Sequence, residues 1–257
     1  MNQVNNIGDL FWVDLKSLDV EKSKKFYREG FGWSFRNENW GHRNQTVIYS
    51  GTKRIGGLTD LRSPVYSPET EPHASIYILV NHVDTMLDRA VEAGGKVMLE
   101  PFHLPGMGRM ATLQDPQGAV LSVWEQTGVF TGIGKQEGAE ERLSWIVLFS
   151  REVIQASQFY QQVFDWEMQR MSDGDRVRIG IWNKGEQIGV IMERDGTEKQ
   201  LSDEWIIGYK VGEMEQLYAG AVCLGAQVTE IQPKRQGTSK MAYGVGPDGI
   251  PIVLIQI

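Results

Sequence analysis

The chain repeats itself, and this limits its possible folds more than any other feature. Phe26-Tyr27 recurs as Phe159-Tyr160, Trp33 as Trp166 and Trp12 as Trp145, each 133 positions on (26 to 159, 33 to 166, 12 to 145). A second set recurs 131 positions on: Val80 with Val211, Gly94 with Gly225, and Pro116 and Gly118 with Pro247 and Gly249. Two nearly equal offsets in order along the chain mean a tandem duplication of a unit of about 130 residues. The 257 residues therefore divide into a first domain over 1–127, a Gly- and charge-rich linker over 128–141, and a second domain over 142–257.

Each half divides again. In 8–60 the stretch Asp9–Lys16 alternates, with Phe11, Val13 and Leu15 on one face and Trp12, Asp14 and Lys16 on the other. A helix follows, N-capped by Asp19, carrying Val20, Ser23, Phe26 and Tyr27 at helical spacing and stopping at Gly30. Short strands fit 33–37, 46–50 and 54–59. Residues 73–126 read the same way: a strand from His73, a helix from Val83 to the stop at Ala93-Gly94-Gly95, then strands near 96–102, 110–114 and 119–126. Asp115-Pro116-Gln117-Gly118 is a turn in which Pro presets φ and Gly supplies a positive φ. The second half repeats this over 142–194 and 203–257. The fold class is thus α+β: four βαβββ modules in two tandem domains with curved mixed sheets. Ile76, Ile78 and Val80, then Ile146 and Leu148, then Ile207, Tyr209 and Val211 continue the apolar, helix-covered faces. The opposite faces line a concave cleft.

The motifs Asp19-Val20-Glu21-Lys22-Ser23, Phe26-Tyr27, Phe31-Gly32-Trp33, Pro72-His73, Val83-Asp84, Ala93-Gly94-Gly95, Pro105-Gly106-Met107-Gly108-Arg109 and Asp115-Pro116-Gln117-Gly118 occur in this order. On these the chain resembles the vicinal-oxygen-chelate superfamily, the glyoxalase, bleomycin-resistance and extradiol-dioxygenase group, in its tandem-domain glyoxalase-like branch. The resemblance implies a divalent metal held on the concave face by the first strand of each paired module and by a Glu ending the last strand. Carried over by position, those places are Trp12, Ser75 and Glu125, and in the second half Trp145, Ile206 and Gln256. One ordinary ligand in three does not hold a catalytic metal, so none is expected. A displaced set of His73, Asp14 and Glu125 is the alternative, although each shift moves a ligand about 6–7 Å along its strand.

The candidate catalytic residues are therefore Glu125 and Asp14, and the candidate binding residues Trp12, Tyr77, Ser75, Arg109 and His103. Asp14 is read as a base or orienting carboxylate, or as the ion-pair partner of Arg109. Arg109 is otherwise a planar clamp for an anionic or carbonyl oxygen. His103 is placed in the loop leading to 105–108, which forms a flexible lip over the cleft. Aromatic side chains at vacated metal positions suit a flat ligand. Two functions follow: a glyoxalase-like lyase, isomerase or oxygenase acting on a small carbonyl or aromatic compound, or a binding protein that sequesters an aromatic or antibiotic-like molecule without catalysis.

Composition excludes several other classes. Lys and Arg number 26 against 33 Asp and Glu, a net charge of −7, so there is no basic surface for phosphates and no nucleic-acid partner is expected. No apolar run reaches membrane-spanning length, and no basic-then-apolar leader opens the sequence. The expectation is a cytoplasmic monomer or homodimer. The single cysteine, Cys223, excludes an intrachain disulfide and is read as a buried, inert thiol.

Overall fold

The computed structural model describes residues 7–41, 44–127, 143–171, 177–194, 203–211, 214–231 and 240–256. Module one is β1 (Leu10–Ser17), α1 (Val20–Phe31), β2 (Trp33–Asn39), β3 (Asn44–Ser50) and β4 (Lys53–Asp60). Module two is β5 (His73–Val80), α2 (Val83–Glu92), β6 (Lys96–Leu104), β7 (Gly108–Gln114) and β8 (Val120–Gln126). Module three is β9 (Leu143–Ser150), α3 (Val153–Phe164), β10 (Glu167–Met171), β11 (Arg178–Asn183) and β12 (Glu186–Glu193). Module four is β13 (Glu204–Val211), α4 (Met214–Cys223), β14 (Gln227–Ile231), β15 (Lys240–Val245) and β16 (Pro251–Gln256). The stretch proposed as a linker lies outside the described residues.

Both sheets have eight strands and the same order: β2-β3-β4-β1-β5-β8-β7-β6 and β10-β11-β12-β9-β13-β16-β15-β14. The strands of the two modules in each half meet antiparallel, β1 on β5 and β9 on β13, while β1 lies parallel to β4 and β5 to β8. The sheets are mixed because each helix carries the chain from the first strand of its module to an edge of the sheet, and the later strands return by antiparallel pairing until the fourth lies parallel to the first.

The helix-bearing faces of both halves share one core. Val13, Leu15, Ile76, Ile78 and Val80 of the first sheet join Ile146, Leu148, Ile207 and Tyr209 of the second in a single apolar cluster with residues from all four modules. The alternation fails at one residue. Phe11 was assigned to the helix face, but it packs on the concave side with Trp12, and Leu10 takes its place against the core. The cause is a register shift against β5 between Leu10 and Trp12, a bulge that turns two successive side chains the same way. The side chain of Val211 lies outside the described residues.

The first helix shows how local chemistry sets an element. Asp19 accepts a hydrogen bond from the Lys22 N–H and caps the N-terminus, as the sequence proposed. Its end was placed at Gly30. The helix instead runs to Phe31, and Gly32, at φ 70°, is the left-handed residue that ends it.

The equivalent Pro-x-Gly turns, Asp115-Pro116-Gln117-Gly118 and Gly246-Pro247-Asp248-Gly249, clasp the halves together. Asp115 accepts the Tyr160 hydroxyl at 2.9 Å, and that oxygen accepts the Trp205 indole N–H at 2.8 Å. In the mirror arrangement Ser23 donates to Asp248 at 2.7 Å. Burial pushes both carboxyls up, against the hydrogen bonds that they accept. Trp166 and Asn183 hold the N-terminal segment through the carbonyls of Gly8 and Ile7 and the Asp9 carboxylate. Cys223 is exposed on α4, contrary to its reading as a buried thiol. Among the described residues no helix is long and apolar enough to cross a membrane.

Candidate functional site

The concave face of the first sheet holds a cleft of about 530 Å³. Its walls follow from strand parity. β1 presents Trp12, Asp14 and Lys16; β5 presents His73, Ser75 and Tyr77; β7 presents Met110 and Thr112; and β8 presents Ser122 and Trp124. The register fixes which of these are neighbours: Trp12 opposite Tyr77, Asp14 opposite Ser75, Lys16 opposite His73, and Tyr77 beside Ser122.

One part of the cleft is aromatic. Trp12 meets Trp40 edge-on with centroids 5.8 Å apart, Tyr77 meets Trp124 at 5.7 Å, and Phe11 meets Trp124 at 5.2 Å. Two of these rings, Trp124 and Trp40, are fixed by polar tethers at their rims. The Trp124 indole donates to the Met107 carbonyl at 3.3 Å, and Trp40 donates to Glu38 at 3.1 Å. Glu38 also accepts from Tyr49 and Arg54. Burial raises the Glu38 carboxyl, and the hydrogen bonds from Tyr49, Trp40 and Arg54 outweigh it and leave it lowered.

Another part is polar. Asp14 is buried and accepts from the Thr59 hydroxyl at 2.8 and 2.9 Å and from the Gln45 amide at 3.5 Å. His73 lies 2.8 Å from the Glu71 carbonyl through Nδ1, so Nδ1 carries the proton and Nε2 offers its lone pair. Burial and the charge of Lys16 lower the His73 pKa, and the Glu71 hydrogen bond and Asp14 oppose them. The imidazole is neutral at pH 7. The Lys16 ammonium sits over the Tyr66 ring, 5.3 Å from its centroid. The hydroxyls of Thr112 and Ser122 lie 2.9 Å apart.

Five of the proposed residues converge here: Trp12, Tyr77, Ser75, Asp14 and His73. Three do not. Glu125 shares the parity of Leu121 and Val123, which pack into the helix-side core, so it leaves the sheet on that side. There its Oε2 accepts the Val83 N–H at 2.9 Å and caps α2, whose own N-cap residue, His82, provides no side-chain bond. Arg109 forms a two-pronged pair with Asp84 at 2.7 and 2.9 Å, not with Asp14, and lies outside the cleft. This pairing lowers the Asp84 carboxyl. His103 belongs to β6 rather than to a loop, and is exposed while Phe102 and Leu104 turn into the cleft. In the lip at 105–108 Pro105 and Gly106 are exposed, while Met107 and Gly108 are packed. Met107 is buried against the cleft aromatics, and a Cβ at Gly108 would lie 2.1 Å from the Glu125 carbonyl oxygen.

Sequence reasoning missed the rings of Trp40 and Trp124, the Lys16 ammonium and an acid of the second half. Glu204, from the second half, lines this cleft beside Asp203 and Trp205. Burial pushes its pKa up to about 7, against the lowering effect of Arg194 and with a further raising effect from Glu71. The repeat held the signal, since Glu204 is the equivalent of His73 (131 positions on).

These features define a duplicated βαβββ protein with a small-molecule-sized cleft on its first concave face. Residues 10–123 match the model of the Glyoxalase/Bleomycin resistance protein/Dioxygenase superfamily, and the sheet of the second half has the same strand order. It is 26% identical over 262 residues to the anthracycline biosynthesis protein DauV of Streptomyces sp. (strain C5), covering 96% of this chain and 92% of that protein. It is 26% identical over 222 residues to the putative glyoxylase CFP32 of Mycobacterium tuberculosis (strain CDC 1551 / Oshkosh), covering 84% of this chain and 82% of that one. The Mn(II)-bound glyoxalase from Novosphingobium aromaticivorans shares the fold over 98% of this chain and 83% of that one, at 18% identity and a TM-score of 0.64. The 2,3-dioxygenase LapB from Pseudomonas sp. KL28 does so over 98% and 94%, at 13% identity and a TM-score of 0.62.

The fold family implies a metal, and the donors of this cleft do not fit one. The strands that would supply ligands present Trp12, Ser75 and Ser122 toward the cleft. The displaced set fails too: Glu125 faces the other side of the sheet, the Asp14 oxygens accept from Thr59 and Gln45, and His73 has Nε2 alone to give. Among the described residues no three His, Cys, Asp or Glu side chains are grouped to hold an ion. No chemical step is therefore derived through a metal.

Proposed function

We propose that the first concave face binds a flat aromatic small molecule without a protein-held metal. The observation that carries this reading is the lining of the cleft: aromatic rings fixed by rim hydrogen bonds beside a small polar patch in about 530 Å³. Such pockets, mostly apolar with a few convergent polar groups, suit drug-sized ligands. The naming of DauV for anthracycline biosynthesis supports an aromatic ligand. Trp12 and Trp40, in contact with each other, would form one wall against the ring system, and Ser75, the neutral His73 and Lys16 would meet its polar substituents.

The test is a titration of chelator-treated protein with 9-fluorenone, a flat uncharged ketone, followed by tryptophan quenching. Saturable binding that does not respond to chelator or added Mn(II), and that weakens about tenfold in Trp40→Ala, is expected, since one aromatic contact is worth about 1 kcal/mol beyond burial. Unsaturable quenching, or binding that appears only with Mn(II), contradicts it. An enzymic reading rests on a different observation, the two proton-handling groups His73 and Glu204 in one cleft. It requires that an aromatic carbonyl compound be consumed on incubation, and recovery of the unchanged compound excludes it.

A further inference from the structure

The second half of the chain does more than pack against the first. β13 begins at the cleft, so Glu204, with Asp203 before it, brings acids of the second half into a pocket that also holds Asp14, Lys16 and His73 of the first. Pro72, just before β5, lies 3.0 Å from where a Cβ on Gly249 would sit, so module four abuts the same strand entry. Around Glu204 the charged groups are Arg194, Glu71 and Asp203. Arg194 is committed to Asp203 at 3.2 Å, and Asp203 is held also by Ser150 and by the Arg151 backbone and guanidinium. No hydrogen bond to the Glu204 carboxyl is made among the described residues.

We propose that Glu204 is the specificity-determining residue of the cleft, donating its carboxyl proton as a hydrogen bond to a carbonyl oxygen of the bound aromatic. The inference rests on the aromatic-cleft reading and adds to it a ligand class, aromatic ketones and quinones. The physical reason is that a carboxyl held neutral by burial has an O–H to give, and leaving that donor without an acceptor in a cleft is unfavourable. Its pKa near 7 means that both forms are populated at neutral pH. A ligand carbonyl selects the protonated form. The carboxylate turns two lone pairs toward the same oxygen and repels it. The groups that titrate nearby do not reproduce this. Asp14 is hydrogen-bonded to Thr59, Asp203 is buried and paired with Arg151 and Arg194, Glu71 is exposed outside the cleft lining, and His73 gains its proton only below neutral pH.

The experiment uses the whole chain and two probes of one shape, 9-fluorenone and fluorene, which lacks the carbonyl. Fluorenone affinity is expected to fall about tenfold from pH 6 to pH 8, as a group of pKa near 7 loses its proton, while fluorene affinity stays flat. Glu204→Gln, which keeps an N–H donor at all pH values, binds fluorenone with no pH step, and His73→Gln keeps the step. Calorimetry of the wild-type protein in buffers of different ionisation enthalpy provides a readout free of any variant: fluorenone binding at pH 7.5 takes up roughly three quarters of a proton. A pH step that survives Glu204→Gln, or fluorenone binding without proton uptake, overturns the assignment and leaves the aromatic cleft standing. Failure of both probes to bind at any pH removes the aromatic cleft and the assignment with it.

Discussion

On the first concave face position 12 is a tryptophan, position 14 an aspartate, position 75 a serine and position 122 a serine. On the second, the equivalents are Trp145, Val147, Ile206 and Val253. The registers match: Asp14 lies opposite Ser75 as Val147 lies opposite Ile206. Yet Val147, Phe149, Ile206, Val253 and Ile255 are sealed into a packed cluster with Val190, Met192 and Met241. The first face keeps Asp14, Lys16, His73, Ser75, Thr112 and Ser122 around its cleft. One backbone plan thus makes an open cleft where strand positions are polar or aromatic, and a second core where they are aliphatic. Duplication left one face free to be filled for stability while the other stayed open.

The largest expected effect separates the two faces directly. Ile206→Asn places an amide in a sealed aliphatic cluster and is expected to destabilise the protein by about 4 kcal/mol, combining lost burial with an unsatisfied polar group. Ser75→Asn, its equivalent on the open face, is expected to cost under about 1 kcal/mol. Urea unfolding of the pair checks this, and equal losses would break the contrast.

Next is Glu204, the second half's contribution to the first half's cleft. Its folded pKa is raised, so the folded chain holds a proton that the unfolded chain releases. The stability this proton confers is complete below about pH 4.5 and is lost as pH rises through about 7. Glu204→Gln removes that dependence. It is expected to be more stable than wild type by up to about 3 kcal/mol at pH 8, with the gap closing near pH 4.5. Melting curves from pH 4.5 to 8 check the sign, and an unchanged gap would place the carboxyl in water.

A smaller effect tests the position of Glu125. Glu125→Ala removes the cap on α2 and is expected to destabilise by about 1 kcal/mol while fluorenone affinity stays within twofold. The smallest concerns Arg109→Ala, whose partner Asp84 is on the surface: fluorenone affinity is expected not to change, whereas a loss would return Arg109 to the cleft.

The fold was legible because it was written twice. The recurrence of Phe-Tyr, Trp and Pro-x-Gly gave the module order, and alternation gave most strand faces. Alternation broke at Phe11, where a bulge that leaves no mark in composition turned the side chain over. The site was legible as a surface and less so as residues. Trp12, Ser75, Tyr77, Asp14 and His73 follow from counting in twos along β1 and β5. Glu125 misled because its place at a strand end fitted the family pattern, while its parity with Leu121 and Val123 already put it on the helix side. Glu204 was hidden for another reason: it reaches the cleft across the packing of the two halves, which single-strand periodicity does not describe.

The most direct test of the central claim is a crystal structure of the full chain with 9-fluorenone. One molecule is expected in the first cleft, packed against the contacting rings of Trp12 and Trp40, with its carbonyl oxygen toward Glu204 and no ligand among Val147, Ile206 and Val253. Fluorenone bound on the second face, or a first cleft closed over its own side chains, would contradict it.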